Sequence, residues 1–231
     1  MCLSAEASLL SGVAIGAVGI DALRHVRYRH EALIAALPAV FGFHQLVEGL
    51  VWLSSEGEAP ARLAQPAARL YLLIALVVIP LLVPLAVIAL EPRAGRYRRA
   101  VFAAVGVGVA AVCLQALLSS SVTVGTGQHY VTYGVGLSHG GLVVALYVLA
   151  TCGPALWSTR PHIRLFGFVN LVAVGLLGRL SLSGLISLWC AWAAVTSVAI
   201  AAHLRAARRT ESGPPVHRPA AASQPSSRSS A

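Results

Sequence analysis

Charged residues are scarce in this sequence of 231 residues, where Asp, Glu, Lys and Arg make up only 11%. A soluble domain carries about 25% charged residues, and the mean hydropathy of +0.77 leaves too much apolar surface for a water-soluble core. A soluble enzyme or binding domain is therefore excluded, and the composition predicts an integral membrane protein. The net charge of +9 does not indicate nucleic acid, because the arginines follow apolar segments, as at a cytoplasmic membrane face.

Lysine is absent, and all 17 basic residues are arginine. A seven-helix retinal protein needs a lysine for its Schiff base, so that class is excluded. The four cysteines show no CxxC spacing, so they indicate neither a zinc site nor a thioredoxin-like motif. Arginine without lysine, beside much Ala, Gly and Val, is typical of a high-GC bacterial genome, which predicts the cytoplasmic membrane of a bacterium as the location.

Seven apolar stretches are of a length suited to a bilayer, which takes about 20 residues to cross. They cover residues 5–23, 32–53, 70–90, 101–118, 137–157, 165–180 and 182–203. The sequence therefore predicts an all-α bundle of seven transmembrane helices within residues 1–204. Residues 205–231 are rich in Arg, Pro, Ser and Ala, which predicts a disordered tail. Residues 54–68 and 119–136 are predicted loops, the second either free or folded back against the bundle.

The arginines alternate between the two ends of these spans. One side would carry 14 of them, namely Arg24, Arg27, Arg29, Arg93, Arg96, Arg98, Arg99, Arg160, Arg164, Arg205, Arg208, Arg209, Arg218 and Arg228. The other side would carry Arg62, Arg69 and Arg179. Because cytoplasmic loops are enriched in basic residues, this split predicts an N-terminus outside and a C-terminal tail in the cytoplasm. An even number of spans would break the alternation.

Small residues and prolines within the spans predict local packing. Gly12 and Gly16 have the spacing of a close helix–helix contact. Pro80 and Pro84 lie inside the third span, where neighbouring groups must satisfy the backbone carbonyls that proline leaves without a donor.

The most polar stretch at membrane depth covers residues 41–52. A carboxylate there costs about 2.5 kcal/mol or more unless it is paired, neutralised or hydrated. His44 and Glu48 are four residues apart and share one helix face, with Trp52 one turn further on. In the predicted topology the polar residues of several spans gather in the outer leaflet, which predicts a polar cavity open to the extracytoplasmic side. The candidate ligand-binding residues are His44, Gln45, Glu48, Trp52, Gln115, His139, Arg179, Trp189 and Cys190.

Ordinary packing is the alternative interpretation of these residues. His44 and Glu48 would then bond each other and a neighbouring helix, and Gln45 and Gln115 would join helices. The tryptophans would form an interfacial belt.

Metal or haem binding is a second interpretation of the histidines. By residue type, His44, Glu48, His129 and His139 are metal ligands, and a bound metal activates water for hydrolysis of a lipid bond. Seven-helix hydrolases of the ceramidase type use paired histidines on a late helix, whereas the last span here has only His203. Haem held by His44 and His139 is a weaker variant. The sequence contains no specific cofactor motif, so the cofactor stays open.

Two cysteines fall on the predicted outer side. Cys2 is at the N-terminus and Cys190 is in the outer third of the last span. An oxidising exterior permits a disulfide between them, and two unrelated thiols are the alternative.

Three segments carry a resemblance to known proteins: Met1-Cys-Leu-Ser-Ala5, Phe41-Gly-x-x-Gln45-x-x-Glu48-Gly-x-Val-Trp52 and Ser187-Leu-Trp-Cys190. Together they resemble an uncharacterised family of bacterial seven-helix membrane proteins that begin Met-Cys-Phe-Ser-Ala and end near Ser-Val-Trp-Cys. The chain departs from that family at His44, where Gln is expected. The resemblance implies an architecture and no reaction. It draws attention to Cys2, Gln45, Glu48, Trp52, Trp189 and Cys190.

Two classes of function follow from these observations. The first is a receptor, sensor or carrier that holds a small ligand or lipid headgroup in the outer leaflet, with Glu48 as its charged group. The second is a metal-dependent intramembrane hydrolase that acts on a lipid. The sequence favours binding or sensing, and the partner that it indicates is the lipid bilayer rather than nucleic acid.

Overall fold

The computed structural model describes residues 4–126, 131–137, 139–180 and 192. Within this part the protein is mostly helical, as predicted. Its main elements are α1 (Ala5–Arg24), α2 (Ala32–Glu56), α3 (Ala64–Leu73), α4 (Ile79–Leu90), α5 (Arg93–Ser119), β1 (Thr123–Thr126), β2 (Val131–Gly134), α6 (Gly140–Leu156) and α7 (Pro161–Leu180). A turn of π-helix, Ile74–Val78, joins α3 to α4, so Ala61–Leu90 forms one continuous helix, here called the α3–α4 helix.

Four helical segments in the described part are long and apolar enough to cross a membrane. They are Ala5–Arg24, Arg29–Glu56, Ala61–Leu90 and Arg99–Ser119, and they fall on the first four predicted spans. Two further apolar helices, Gly140–Leu156 and Pro161–Leu176, are shorter. The described part thus contains several helices that are long and apolar enough to cross a membrane, in agreement with the prediction.

Most of the last predicted span, 182–203, and the whole predicted tail, 205–231, lie outside the described residues. Trp192 is described, and its indole Nε1 donates a hydrogen bond to Asn170 Oδ1 in α7 over 3.2 Å. This bond connects Trp192 with the middle of α7.

The backbones of α1 and α2 approach each other closely at glycine. A Cβ atom added to Gly42 would lie 2.5 Å from Gly16 Cα, and one added to Gly19 would lie 2.5 Å from Ala39 Cα. Side chains larger than hydrogen do not fit at such distances, so the small residues are what allow these two helices to pack this closely. The predicted contact around Gly16 is confirmed, and it packs α2 directly against α1.

The first predicted loop is shorter than expected. The sequence predicted a loop over 54–68, but α2 continues to Glu56 and helical structure resumes at Ala61. Gly57 ends α2 in the left-handed conformation, with φ of 83°, and its N–H bonds to Leu53 O. Glycine adopts this conformation without strain, which makes it a common helix C-cap.

The predicted loop 119–136 contains an antiparallel hairpin, which the all-α prediction did not include. β1 pairs with β2 in a register that sets Thr123 opposite Gly134 and Thr126 opposite Val131. Val122 and Val131 are buried in the same apolar cluster as Trp52. The segment therefore folds back against the bundle, which was one of the two predicted arrangements.

A buried ion pair connects the α4–α5 junction to the α6–α7 junction. Arg99 Nη2 lies 3.4 Å from Glu91 Oε2, and both side chains are almost fully buried. Glu91 also accepts hydrogen bonds from the hydroxyls of Ser158 and Thr159, while Arg99 Nη2 donates to Trp157 O over 2.9 Å. Burial favours the neutral carboxyl, but the bonds from Ser158 and Thr159 and the charge of Arg99 outweigh it and lower the pKa of Glu91.

Candidate functional site

One face of α2 carries the polar residues that the sequence singled out. His44, Gln45 and Glu48 are each 0% exposed, and Trp52 is 5% exposed. The spacing of four residues between His44, Glu48 and Trp52 aligns them along the helix, with Gln45 beside them. All four residues lie in Arg29–Glu56, one of the helical segments that are long and apolar enough to cross a membrane.

Three aromatic rings stack across three elements at this face. The His44 imidazole on α2 lies parallel to the Tyr71 ring on α3, with centroids 4.0 Å apart. The other neighbour of Tyr71 is Tyr133 on β2, at 4.7 Å. The hairpin thus completes the site, and His44, Gln45, Glu48, Trp52, Tyr71 and Tyr133 are called the polar cluster below.

The two tyrosines were missing from the predicted site. Tyr71 was visible as the one polar residue of an otherwise apolar third span, and that isolation was a usable signal. Tyr133 lay in a segment predicted as a loop, and its position beside Tyr71 depends on the hairpin.

Several polar atoms of the cluster lack a hydrogen-bond partner among the described residues. They are both ring nitrogens of His44, both amide atoms of Gln45 and the indole nitrogen of Trp52. A buried polar group without a partner costs about 1–3 kcal/mol, and most such groups in folded proteins bond to protein or to ordered water. Within the described residues these five polar atoms therefore stay unsatisfied.

The hydrogen-bonding capacity of these groups defines what they can hold. A neutral imidazole offers one donor and one acceptor, a glutamine amide offers two donors and an acceptor, and an indole offers one donor. Hydroxyl, carbonyl or amide groups of a ligand match this set. Glu48 adds a carboxyl group, which is a general acid or base and an acceptor for a cationic group.

The first helix closes the cluster on another side. The side chain of Leu9 fills the space beside Gly49, where an added Cβ would lie 2.7 Å from Leu9 Cγ. Ser8, the preceding residue, is fully buried at this level of the bundle. Elements α1, α2, α3 and β2 therefore all border or contribute to the polar cluster.

Other predicted site residues lie at the protein surface. Gln115 on α5, His139 before α6 and Arg179 near the end of α7 are exposed. His139 has a left-handed backbone, with φ of 59°, at the N-cap of α6. The structure therefore brings together His44, Gln45, Glu48 and Trp52, and it leaves these three exposed. Trp189 and Cys190 lie outside the described residues.

The candidate metal ligands are only partly placed. In the described ranges, His, Cys, Asp and Glu form no group of three or more that could hold a metal ion. His44 and Glu48 share the polar cluster, His139 is exposed, and His129 is outside the described ranges. The described cysteines, Cys113 and Cys152, are buried free thiols, while the suggested Cys2–Cys190 pair falls outside.

Comparison with known proteins gives one family match. Residues 1–215 match a family of unknown function, DUF6629. This range contains every residue that the structure describes, and it agrees with the resemblance to an uncharacterised family. No curated protein and no solved structure matches the chain.

Proposed function

The chain belongs to the DUF6629 family, and from its polar cluster we propose that it is a receptor, sensor or carrier that binds a small hydrogen-bonding ligand or a lipid headgroup within the membrane. The proposed location is the bacterial cytoplasmic membrane, with seven spans, the N-terminus outside and the polar cluster in the outer leaflet. The arginine distribution supports this orientation.

The observation that carries the proposal is the complete burial of His44 and Gln45. Their four polar side-chain atoms have no hydrogen-bond partner among the described residues. At membrane depth no bulk water compensates for this, so the cost falls on folding unless a bound molecule supplies partners. Residues that cost stability in this way are expected at functional sites rather than in ordinary cores.

Binding is preferred to hydrolysis because of the chemistry of the cluster. Its uncharged groups outnumber its metal-ligating ones, since only His44 and Glu48 are of a type that binds catalytic metals. A catalytic zinc site uses three protein ligands and keeps one position open for water. Three stacked rings, three N–H donors from an amide and an indole, and one carboxyl suit recognition of a polar group on an apolar molecule.

Replacing Gln45 with Leu tests the proposal. Leu has a similar volume and lacks both amide groups, so Gln45→Leu is expected to keep or raise the melting temperature in detergent. Native mass spectrometry of the protein released from micelles should show a bound mass on the wild type and none on Gln45→Leu. Gln115→Leu is the matched control, because it removes the same amide from an exposed position on α5 and should keep the bound mass.

Two results would contradict the proposal. One is a wild-type protein without bound mass, and the other is equal bound mass on Gln45→Leu. Elemental analysis of the same samples tests the hydrolase alternative. A stoichiometric metal that is lost in His44→Phe would favour hydrolysis over binding.

A further inference from the structure

In the π-helical turn of the α3–α4 helix, one backbone carbonyl accepts its hydrogen bond from a side chain instead of from the backbone. The N–H of Ile79 donates to Ile74 O, five residues back, instead of to Ala75 O. The next residue, Pro80, has no N–H to give. Ala75 O therefore lacks both of the backbone donors that follow it, and the hydroxyl of Tyr147 on α6 donates to it over 2.7 Å.

An ordinary α-helical register would satisfy Ala75 O within the helix. The N–H of Ile79 would then reach Ala75 O, and the missing N–H of Pro80 would leave Leu76 O without a partner. The π register gives up the bond from Ile79 N–H to Ala75 O, so its backbone bonds alone do not favour it. At membrane depth a carbonyl without a donor is strongly disfavoured, so the hydroxyl of Tyr147 decides between the two registers by satisfying Ala75 O.

The register of this turn sets the position of Tyr71 in the polar cluster. On the C-terminal side of the turn, Pro80 O packs against the backbone at Gly106 of α5, where an added Cβ would collide with it. On the N-terminal side of the turn, Tyr71 stacks between His44 and Tyr133. Because one residue corresponds to about 100° of helix rotation, conversion of the π turn to α-helix would turn Tyr71 away from both rings.

We propose that Tyr147 is a positioning residue for the polar cluster: its bond to Ala75 O holds the α3–α4 helix in the register that keeps Tyr71 stacked on His44. Loss of the bond switches the helix to the α register and withdraws Tyr71 from the site. The role in ligand binding rests on the proposed function, whereas the register itself can be measured without a ligand.

Fluorine NMR of the full chain in detergent tests the register. The protein has six tyrosines, so labelling with 3-fluorotyrosine gives few lines, and Tyr71→Phe identifies the line of Tyr71. In the wild type that line should be displaced by the ring currents of His44 and Tyr133. Tyr147→Phe removes only the hydroxyl and should abolish the displacement. Pro80→Ala restores an N–H and should do the same, because the α register then satisfies every carbonyl of the turn.

Pro84→Ala is the matched control, since it removes a proline from the same helix one turn after Pro80. The proposal expects the Tyr71 line to stay in place in this variant. An unmoved Tyr71 line in folded Tyr147→Phe overturns the proposal. If Tyr147→Phe does not fold, Pro80→Ala decides, and an unmoved line there overturns it as well. A wild-type protein without bound mass would contradict only the proposed function. The register proposal would still stand, because the fluorine measurement needs no ligand.

Discussion

The imidazole of His44 and the phenol ring of Tyr71 lie nearly parallel, with their centroids 4.0 Å apart and their planes inclined by 14°. Both side chains are fully buried, and they come from different helices. The stack fixes the plane of the imidazole and thereby the positions of its two nitrogens. A flat ring is thus needed for packing, and the nitrogens are needed only for hydrogen bonding.

His44→Phe separates these two roles. Phenylalanine keeps a flat ring in the stack and removes both nitrogens, so the melting temperature should equal or exceed that of the wild type, while the bound mass disappears. His44→Ala also removes the ring and should destabilise the protein by about 2–5 kcal/mol through the void that it leaves. Melting curves in detergent compare the two variants. Equal destabilisation by both would mean that the nitrogens are satisfied within the protein.

The close contact of α1 and α2 gives a prediction that separates neighbouring glycines. A Cβ on Gly42 would lie 2.5 Å from the backbone of α1, whereas a Cβ on Gly16 would meet nothing within 4 Å. Gly42→Ala should therefore cost about 1–3 kcal/mol through overpacking, and Gly16→Ala should be neutral or slightly stabilising. Melting temperatures of the two variants check this. A larger loss in Gly16→Ala would contradict the observed packing.

The Glu91–Arg99 pair gives a pH-dependent prediction. Because the pKa of Glu91 in the folded protein lies below its ordinary value of 4.5, its stabilising contribution is complete above pH 4.5 and is lost as the pH falls through the folded pKa. The melting temperature of the wild type should exceed that of Glu91→Gln at neutral pH, and the difference should shrink below pH 4.5. A difference that stays constant across this range would show that the carboxylate charge contributes nothing.

The second member of that pair should be more sensitive than the first. Arg99→Met leaves the Glu91 carboxylate buried without its cation, which typically costs about 3–5 kcal/mol. It also removes the bonds to Trp157 O. Since these contacts join two helix junctions, limited proteolysis between α6 and α7 should accelerate in Arg99→Met. Wild-type cleavage rates there would argue against a role in holding the junctions together.

The orientation of the chain is open to a direct test. The arginine distribution predicts a cytoplasmic C-terminus. A reporter that is active only in the cytoplasm and is fused after Arg209 should therefore be active, and a periplasmic reporter at the same position should be silent. The opposite pattern would contradict both the proposed seven-span topology and the proposed outer-leaflet position of the polar cluster.

The sequence predicted the polar face of α2 because periodicity within one helix is local information. His44, Gln45, Glu48 and Trp52 share a face by spacing alone, and the structure buries all four. Which other helices meet that face is not local. Gln115 was assigned to the cavity from its depth along the chain, but in a uniformly apolar helix no pattern fixes the rotational phase, and the structure leaves it exposed.

The features that were missed depend on contacts between distant parts of the chain. Glu91 is a single acidic residue after the third span, and its partners Ser158 and Thr159 follow more than 60 residues later. The hairpin was predicted as a loop because Ser, Thr and Gly dominate the segment, although Val and Thr recur in both strands, as in β structure. Pairing with the bundle, rather than composition, decided that segment.

Glu48→Gln provides the most direct test of the polar cluster as a binding site. The amide fills nearly the same volume, so the melting temperature should stay close to that of the wild type. Glu48→Leu removes the hydrogen-bonding groups and should lower stability by about 1–3 kcal/mol. This second variant shows how much of the role of Glu48 is structural.

The decisive measurement is the bound mass on folded Glu48→Gln, compared by native mass spectrometry with the bound mass on the wild type. A binding site that uses the Glu48 carboxyl predicts that the wild type carries the mass and that Glu48→Gln, melting at the same temperature, does not. Equal bound mass on both proteins would contradict the account and leave Glu48 as a packing residue.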